Sequence, residues 1–203
     1  MSLTNSAEQW DRRYSASAQV WSLGPNQFVE AELGNLTPGF AVDLAGGEGR
    51  NAIWLLKKGW KVENVDISKV AIERFLERAS QEGLSESTIG TVGDATAVRF
   101  SQLADLVVVN YLQLENQQLS SALNNALGQL TPSGEIFGVW HSRRNVTEGF
   151  GGPPDPELNP SVEELQSWAS ATGKRFEVKE LTREVQREGE LHTAIDVQLW
   201  VRA

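Results

Sequence analysis

The feature that most constrains this chain is an alternation of short β-rich runs with helical ones, ending in two long strand-like runs in succession. Such alternation is the sequence form of a parallel sheet with helices on both faces. Phe40 to Leu44 reads as the first strand, and Asn51 to Lys58 as a helix burying Ala52, Ile53, Leu55 and Leu56, with Gly59 as its stop. Lys61 to Val65 is the next strand. Ser68 caps a helix whose Ile72, Phe75, Leu76 and Ala79 recur at helical spacing. A weaker strand lies near Ile89 to Val92, and Leu106 to Val109 is the continuous apolar run of a strand buried on both faces. Leu119 to Leu130 marks another helix, stopped by Thr131-Pro132-Ser133-Gly134, and Glu135 to Trp140 is a fifth strand.

Beyond that strand the alternation breaks. Residues 142 to 160 are rich in Gly and Pro, a loop long enough to carry function. Ser161 and Glu164 form a capping-box pattern opening a helix that Gly173 ends. Phe176 to Val185 and Leu191 to Val201 flank Arg187-Glu188-Gly189-Glu190, which predicts a β-hairpin and therefore an antiparallel last strand. At the other end, Asn5 with Glu8 is placed to cap a short helix carrying Trp10 and Tyr14, and a second short helix follows Pro25. The expected class is α/β, a three-layer sandwich in one domain: leader 1–35, core 36–141, loop 142–160, and helix plus hairpin 161–203.

Composition enters as a set of exclusions. The chain of 203 residues holds no cysteine and two histidines, His141 and His192, which disfavours thiolate catalysis, disulfides and a structural zinc or histidine-rich metal site. A formal charge of −9 argues against a chain whose main task is neutralising phosphate backbones, so no nucleic-acid partner is expected. There is no signal-peptide pattern and no apolar stretch approaching the roughly 18 residues of a membrane span, so the expected setting is cytoplasmic, without a membrane partner. Oligomeric state is left open.

The chemistry is announced at the turn from first strand to first helix, Val42-Asp43-Leu44-Ala45-Gly46-Gly47-Glu48-Gly49-Arg50-Asn51. Glycines there let a ligand approach the backbone, and a helix N-terminus offers N–H groups to an anion. Asp66 follows at the tip of the second strand, placed to accept from a ribose diol, and Asp94, in Gly93-Asp94-Ala95, is placed to accept from an adenine amine. All lie at the carboxyl ends of strands, where open α/β sheets bind ligands. Two ligand classes fit. Gly47-Glu48-Gly49-Arg50-Asn51-Ala52 satisfies a dinucleotide fingerprint with Ala in third place, so NAD is one. S-adenosylmethionine is the other, and charge favours it: a pyrophosphate would face Asp43 and Glu48, whereas an ammonium and a sulfonium suit them. A C-terminal antiparallel hairpin also departs from a dinucleotide fold.

These segments, with Leu130-Thr131-Pro132-Ser133-Gly134, resemble the successive motifs of class I S-adenosylmethionine-dependent methyltransferases. Gly47 to Ala52 with Gly59-Trp60, the leader Trp10-Asp11-Arg12-Arg13-Tyr14, then Trp21 and Pro25-Asn26, and His141 followed by Asn145 to Gly149 resemble the tellurite-resistance and thiopurine-type branch. The resemblance implies a Rossmann-like seven-stranded sheet with its last strand antiparallel, and S-adenosyl-L-methionine as cofactor. It implies a methionine-end loop of Asp43, Ala45, Gly46, Gly47, Glu48, Gly49 and Asn51, and a nucleoside set of Asp66, Ile67, Ser68, Asp94 and Ala95. Asn110 belongs to both the cofactor and the methyl-transfer sets. Ala45-Gly46-Gly47 departs from the family's Gly-Cys-Gly, and Gln113 stands where relatives often have His.

Methyl transfer from a sulfonium is an in-line displacement on an activated cofactor, so positioning supplies most of the catalysis. Asn110, Tyr111 and His141 are the candidate catalytic positions for a small-molecule acceptor. Trp10, Tyr14, Trp21, Gln113, Arg143 and Arg144 are the candidate substrate or lid positions. An NAD(P)-binding oxidoreductase and a non-catalytic S-adenosylmethionine-binding module are the alternatives.

Overall fold

The computed structural model describes residues 6–16 and 24–202. Seven strands form one sheet: β1 (Phe40–Leu44), β2 (Lys61–Asp66), β3 (Thr88–Val92), β4 (Ala104–Asn110), β5 (Leu130–His141), β6 (Arg175–Arg187) and β7 (Glu190–Arg202), in the order β3-β2-β1-β4-β5-β7-β6. The first five run parallel, while β7 is antiparallel to both β5 and β6. The hairpin turn is Glu188-Gly189, with φ of 54° and 86°. Two positive φ values make the tight turn whose twist matches the strands it joins.

The helices are α1 (Ala7–Ser15), α2 (Gln27–Leu33), α3 (Arg50–Lys57), α4 (Lys69–Gln81), α5 (Asn116–Leu127), α6 (Asn145–Glu148) and α7 (Val162–Ala171). One sheet face packs against α2, α3 and α4 through Val29, Leu33, Ile53, Leu55 and Phe75. The other packs against α5 and α7 through Leu119, Leu123, Leu165 and Ala169. This is the three-layer, Rossmann-like arrangement expected from the alternation.

Three expectations need adjusting. The cap of α1 is Ser6, in a capping box with Gln9, rather than Asn5 with Glu8; Asn5 itself lies outside the described residues. β5 begins at Leu130, because Thr131-Pro132 runs on in extended form with an irregularity opposite Ala104 and Leu106 instead of turning. Leu76 stays 40% exposed over Gly90 of the edge strand, since the buried stripe of α4 is narrower than the periodicity suggested.

Candidate active site

The carboxyl ends of β1, β2, β3 and β4 open into a cavity of about 650 Å³. Its floor is the loop between β1 and α3. Gly46 N–H donates to the Val65 carbonyl (3.1 Å), Gly47 N–H to Asp66 Oδ2 (2.8 Å), and Asn64 Nδ2 to the Gly47 carbonyl (2.9 Å). The need for glycine at 46 is steric: a Cβ there would lie 2.0 Å from Asn64 Oδ1 and 2.6 Å from the Asp43 carboxyl carbon. At 49 it is both conformational and steric, with φ at 74° and a hypothetical Cβ 2.2 Å from the Phe75 ring. Ala45, by contrast, holds φ of 58° with a side chain. A left-handed L-residue costs about 1–2 kcal/mol, so the strain that a glycine would avoid is concentrated at the cavity floor.

Asp43 sits directly beneath, fully buried, with Oδ2 accepting from Ala52 N–H (3.0 Å) and Oδ1 without a partner. Burial pushes its carboxyl up to about 7, against the opposing pull of the Ala52 hydrogen bond and the Arg50 charge. Asp66, also buried, accepts from Gly47 N–H and Ser68 N–H (2.8 Å each), and burial pushes it up to about 6. Both carboxylates are held where burial disfavours their charge, a feature that functional sites share with buried structural acids. One N–H of the helix N-terminus, that of Ala52, is already taken by Asp43.

Trp10, Tyr14, Ala45, Gly46, Gly47, Asn51, Asp66, Ile67, Asp94, Ala95, Asn110, Tyr111 and Gln113 of the candidate set all line the cavity. Asn110 is about nine-tenths buried and both polar atoms of its side chain lack partners. Asp94 Oδ1 accepts from the N–H and hydroxyl of Thr96 (2.8 Å each), fixing the rim after β3. Tyr111 has φ of 55°, and its hydroxyl donates to Asp196 Oδ2 (3.1 Å) and accepts from Asn26 Nδ2 (3.3 Å). Burial beside Asp196 pushes the Tyr111 hydroxyl up to about 12.

Other candidates lie off the lining. Glu48 turns to α4 and pairs with Arg74 (2.8 Å), and Gly49 packs on Phe75. Ser68 is the cap of α4, and its hydroxyl donates to Asp11 Oδ1 (2.5 Å), which ties α1 to the rim. His141 lies behind Tyr111, ring centroids 4.9 Å apart, with Nδ1 3.0 Å from Asp196 Oδ1. Arg143 forks onto Glu164 (2.8 and 2.9 Å), and Arg144 bridges Glu148 and Glu180 (2.6 Å each). Trp21 lies outside the described residues.

Two groups escaped the sequence reading. Arg50 lines the cavity, the one cation that does so among the described residues, with its guanidinium 5.8 Å from the Tyr111 ring. Its signal was present inside the glycine motif, but the direction of its side chain was not. Asp196, buried between apolar neighbours of β7, had no local signal beyond being an acid in an alternating strand.

Residues 41–134 match the family model described as a methyltransferase domain. A structure solved for the conversion of a disulfide bond into a thioacetal group during echinomycin biosynthesis superposes with a TM-score of 0.76, at 22% identity over 97% of this chain and 91% of that one. Residues 41–134 therefore match a methyltransferase domain, and the solved neighbour shares the fold of the whole chain. TehB from Haemophilus influenzae is similar to this chain in fold, with a TM-score of 0.73 at 18% identity over 95% of this chain and 66% of that one. A ribosomal RNA small subunit methyltransferase C from Alcanivorax borkumensis is 34% identical over 76 residues, which are 36% of this chain and 22% of that relative. The chain thus spans about a fifth of the length of the curated relative it matches. The antiparallel β7 beside β5 separates this sheet from the all-parallel 3-2-1-4-5-6 order of dinucleotide folds.

Proposed function

We propose that the protein transfers a methyl group from S-adenosylmethionine to a small acceptor through a soft, readily ionised atom such as a thiol sulfur. The observation that carries the cofactor half is the cavity lining, where the Asn110 amide is buried without protein partners, with Asp43 Oδ1 likewise unpartnered just beneath the floor. Such orphaned groups are costly unless a ligand satisfies them. Asp66 at the tip of β2 would hold the ribose, Asp94 and Ala95 the adenine. Asp43 and Asn110 would face the ammonium end, and Arg50 the carboxylate. When bound, the cofactor supplies a methyl group already activated on a sulfonium.

The chain's own part is to bind, orient and exclude water. Trp10 and Tyr14 wall the cavity from α1, and Leu158 does so from the loop after β5. The Tyr111 hydroxyl donates a hydrogen bond to Asp196 and is pushed up to about 12, so it is a donor and a wall rather than a base. His141 stands behind it. An acceptor that ionises near neutral pH needs no base from this wall, and proximity and orientation supply up to about 7–11 kcal/mol. The relative solved for disulfide-to-thioacetal conversion supports sulfur as the acceptor atom. A single lining cation among the described residues, with a net charge of −9, supports a small acceptor over RNA. One domain serves this function in the proposed division, with a leader 1–35 and a core 36–141.

The test is release of S-adenosylhomocysteine from labelled cofactor with thiol, selenol, metalloid, amine and RNA acceptors. Turnover is expected with thiols or their heavier analogues. Turnover with RNA alone contradicts the acceptor reading, and cofactor binding with no turnover across the panel leaves a binding module.

A further inference from the structure

Asp196 is fully buried, yet it collects three polar side chains from three other segments. Arg183 Nε on β6 donates to its Oδ2 at 2.6 Å, the Tyr111 hydroxyl after β4 donates to the same oxygen at 3.1 Å, and His141 Nδ1 on β5 lies 3.0 Å from Oδ1. His141 and Asp196 are direct cross-strand partners, so their side chains share the sheet face beneath Tyr111. A buried ion pair of this kind is weak evidence for stability, because apolar side chains of the same volume often do as well. The carboxylate therefore needs another reason to be there.

Tyr111 offers one. Its φ of 55° is a conformation that an aromatic residue adopts only when its surroundings over-determine it. Those surroundings are the hydroxyl bonds to Asp196 and Asn26 and the ring contact with His141. Asn26 in turn donates its backbone N–H to Asn51 Oδ1 (2.9 Å), which lines the same cavity, so the Tyr111 hydroxyl is locked to the floor from both sides. The reverse turn at Tyr111 also fixes Asn110, immediately before it, whose unpartnered amide faces the cavity.

We propose that Asp196 is a positioning residue: it holds Tyr111 in its strained conformation and so sets the wall against which the methyl acceptor is aligned. The inference rests on the methyltransferase reading above. Asp196 touches neither cofactor nor acceptor, and acts through Tyr111. His141 shares that role by packing under the ring, which gives the histidine of the motif a task other than proton transfer.

The experiment is a double-mutant cycle of Asp196→Asn and Tyr111→Phe in the full chain, with kcat and KM measured for an accepted thiol, and S-adenosylhomocysteine affinity by calorimetry. Each single variant is expected to lower kcat by about tenfold or more while product affinity stays within about twofold, since misplacement by an ångström is costly. The double variant is expected to be no slower than Asp196→Asn alone, because both changes break one linkage. Tyr111→Phe keeps the ring and its packing, so it carries the test even where loss of the Arg183 pairing leaves Asp196→Asn unfolded. Unchanged kcat in Tyr111→Phe, or effects that multiply in the double variant, overturn the inference. A wild-type chain that binds no S-adenosylhomocysteine instead overturns the methyltransferase reading itself.

Discussion

Replacing Asp43 by Asn should stabilise the ligand-free protein while weakening its site, and the effect should depend on pH in a set direction. Asp43 is fully buried and its carboxyl is pushed from 3.8 up to about 7, mainly by desolvation. The native state therefore holds a proton between about pH 4 and pH 7 that the unfolded chain has released. Stability falls as pH rises through that window and levels off above it. A shift of about 3 units corresponds to about 4 kcal/mol in unfavourable burial once Asp43 is ionised. Asn keeps an oxygen for the Ala52 N–H but loses the charge assistance of that bond, worth about 1 kcal/mol. The variant is therefore expected to be about 2–3 kcal/mol more stable than wild type at pH 8, with the advantage gone near pH 4.5. Urea denaturation from pH 4.5 to 8.5 measures this as a difference, so that Asp66 and other shared groups cancel. Affinity for S-adenosylhomocysteine should fall at the same time. A variant no more stable at pH 8 than at pH 4.5, relative to wild type, refutes the claim that Asp43 is held at an energetic cost for its ligand.

Arg50→Gln should weaken S-adenosylhomocysteine by about tenfold, the scale of one charged hydrogen bond, because Arg50 is the cation on the cavity wall. It should leave 5′-methylthioadenosine, which has no carboxylate, unchanged; equal losses for both would remove Arg50 from this role. Ala45→Gly should raise the stability of the fold by about 0.5–1 kcal/mol in thermal or urea unfolding, by relieving the positive φ of 58°. A loss of stability there would mean that the Ala45 methyl is packing productively.

Much of the fold could be read from local pattern. β1 and β4 sit inside the sheet, and their apolar runs, broken in β1 only by Asp43 and continuous in β4 from Leu106 to Val109, say so. β3 gave a weaker signal for a physical reason: it is an edge strand, half exposed, with Ile89 and Val92 open to solvent. The acids and glycines of the site were legible because their chemistry is tied to the strand ends. Side-chain direction was not. Glu48 and Arg50 flank the same glycine, yet one turns out to Arg74 and the other lines the cavity, a choice made by the packing of α4 and Tyr111. Arg143 and Arg144 look equally available in the sequence, but Glu164, Glu148 and Glu180 engage them. Asp196 reads as a solvent-facing position in an alternating strand, and only a sheet covered on both faces makes it a buried hub.

The central claim is that the acids at the strand ends hold S-adenosylmethionine. Calorimetric titration of S-adenosylhomocysteine into wild type and Asp66→Ala tests it most directly, with NAD as the competing ligand. Saturable binding to wild type, at least about tenfold weaker in the variant, is expected, since hydrogen bonds to a charged group are worth about 1.5–3 kcal/mol each. Equal affinity in the two proteins, or heat from NAD and none from S-adenosylhomocysteine, would contradict it.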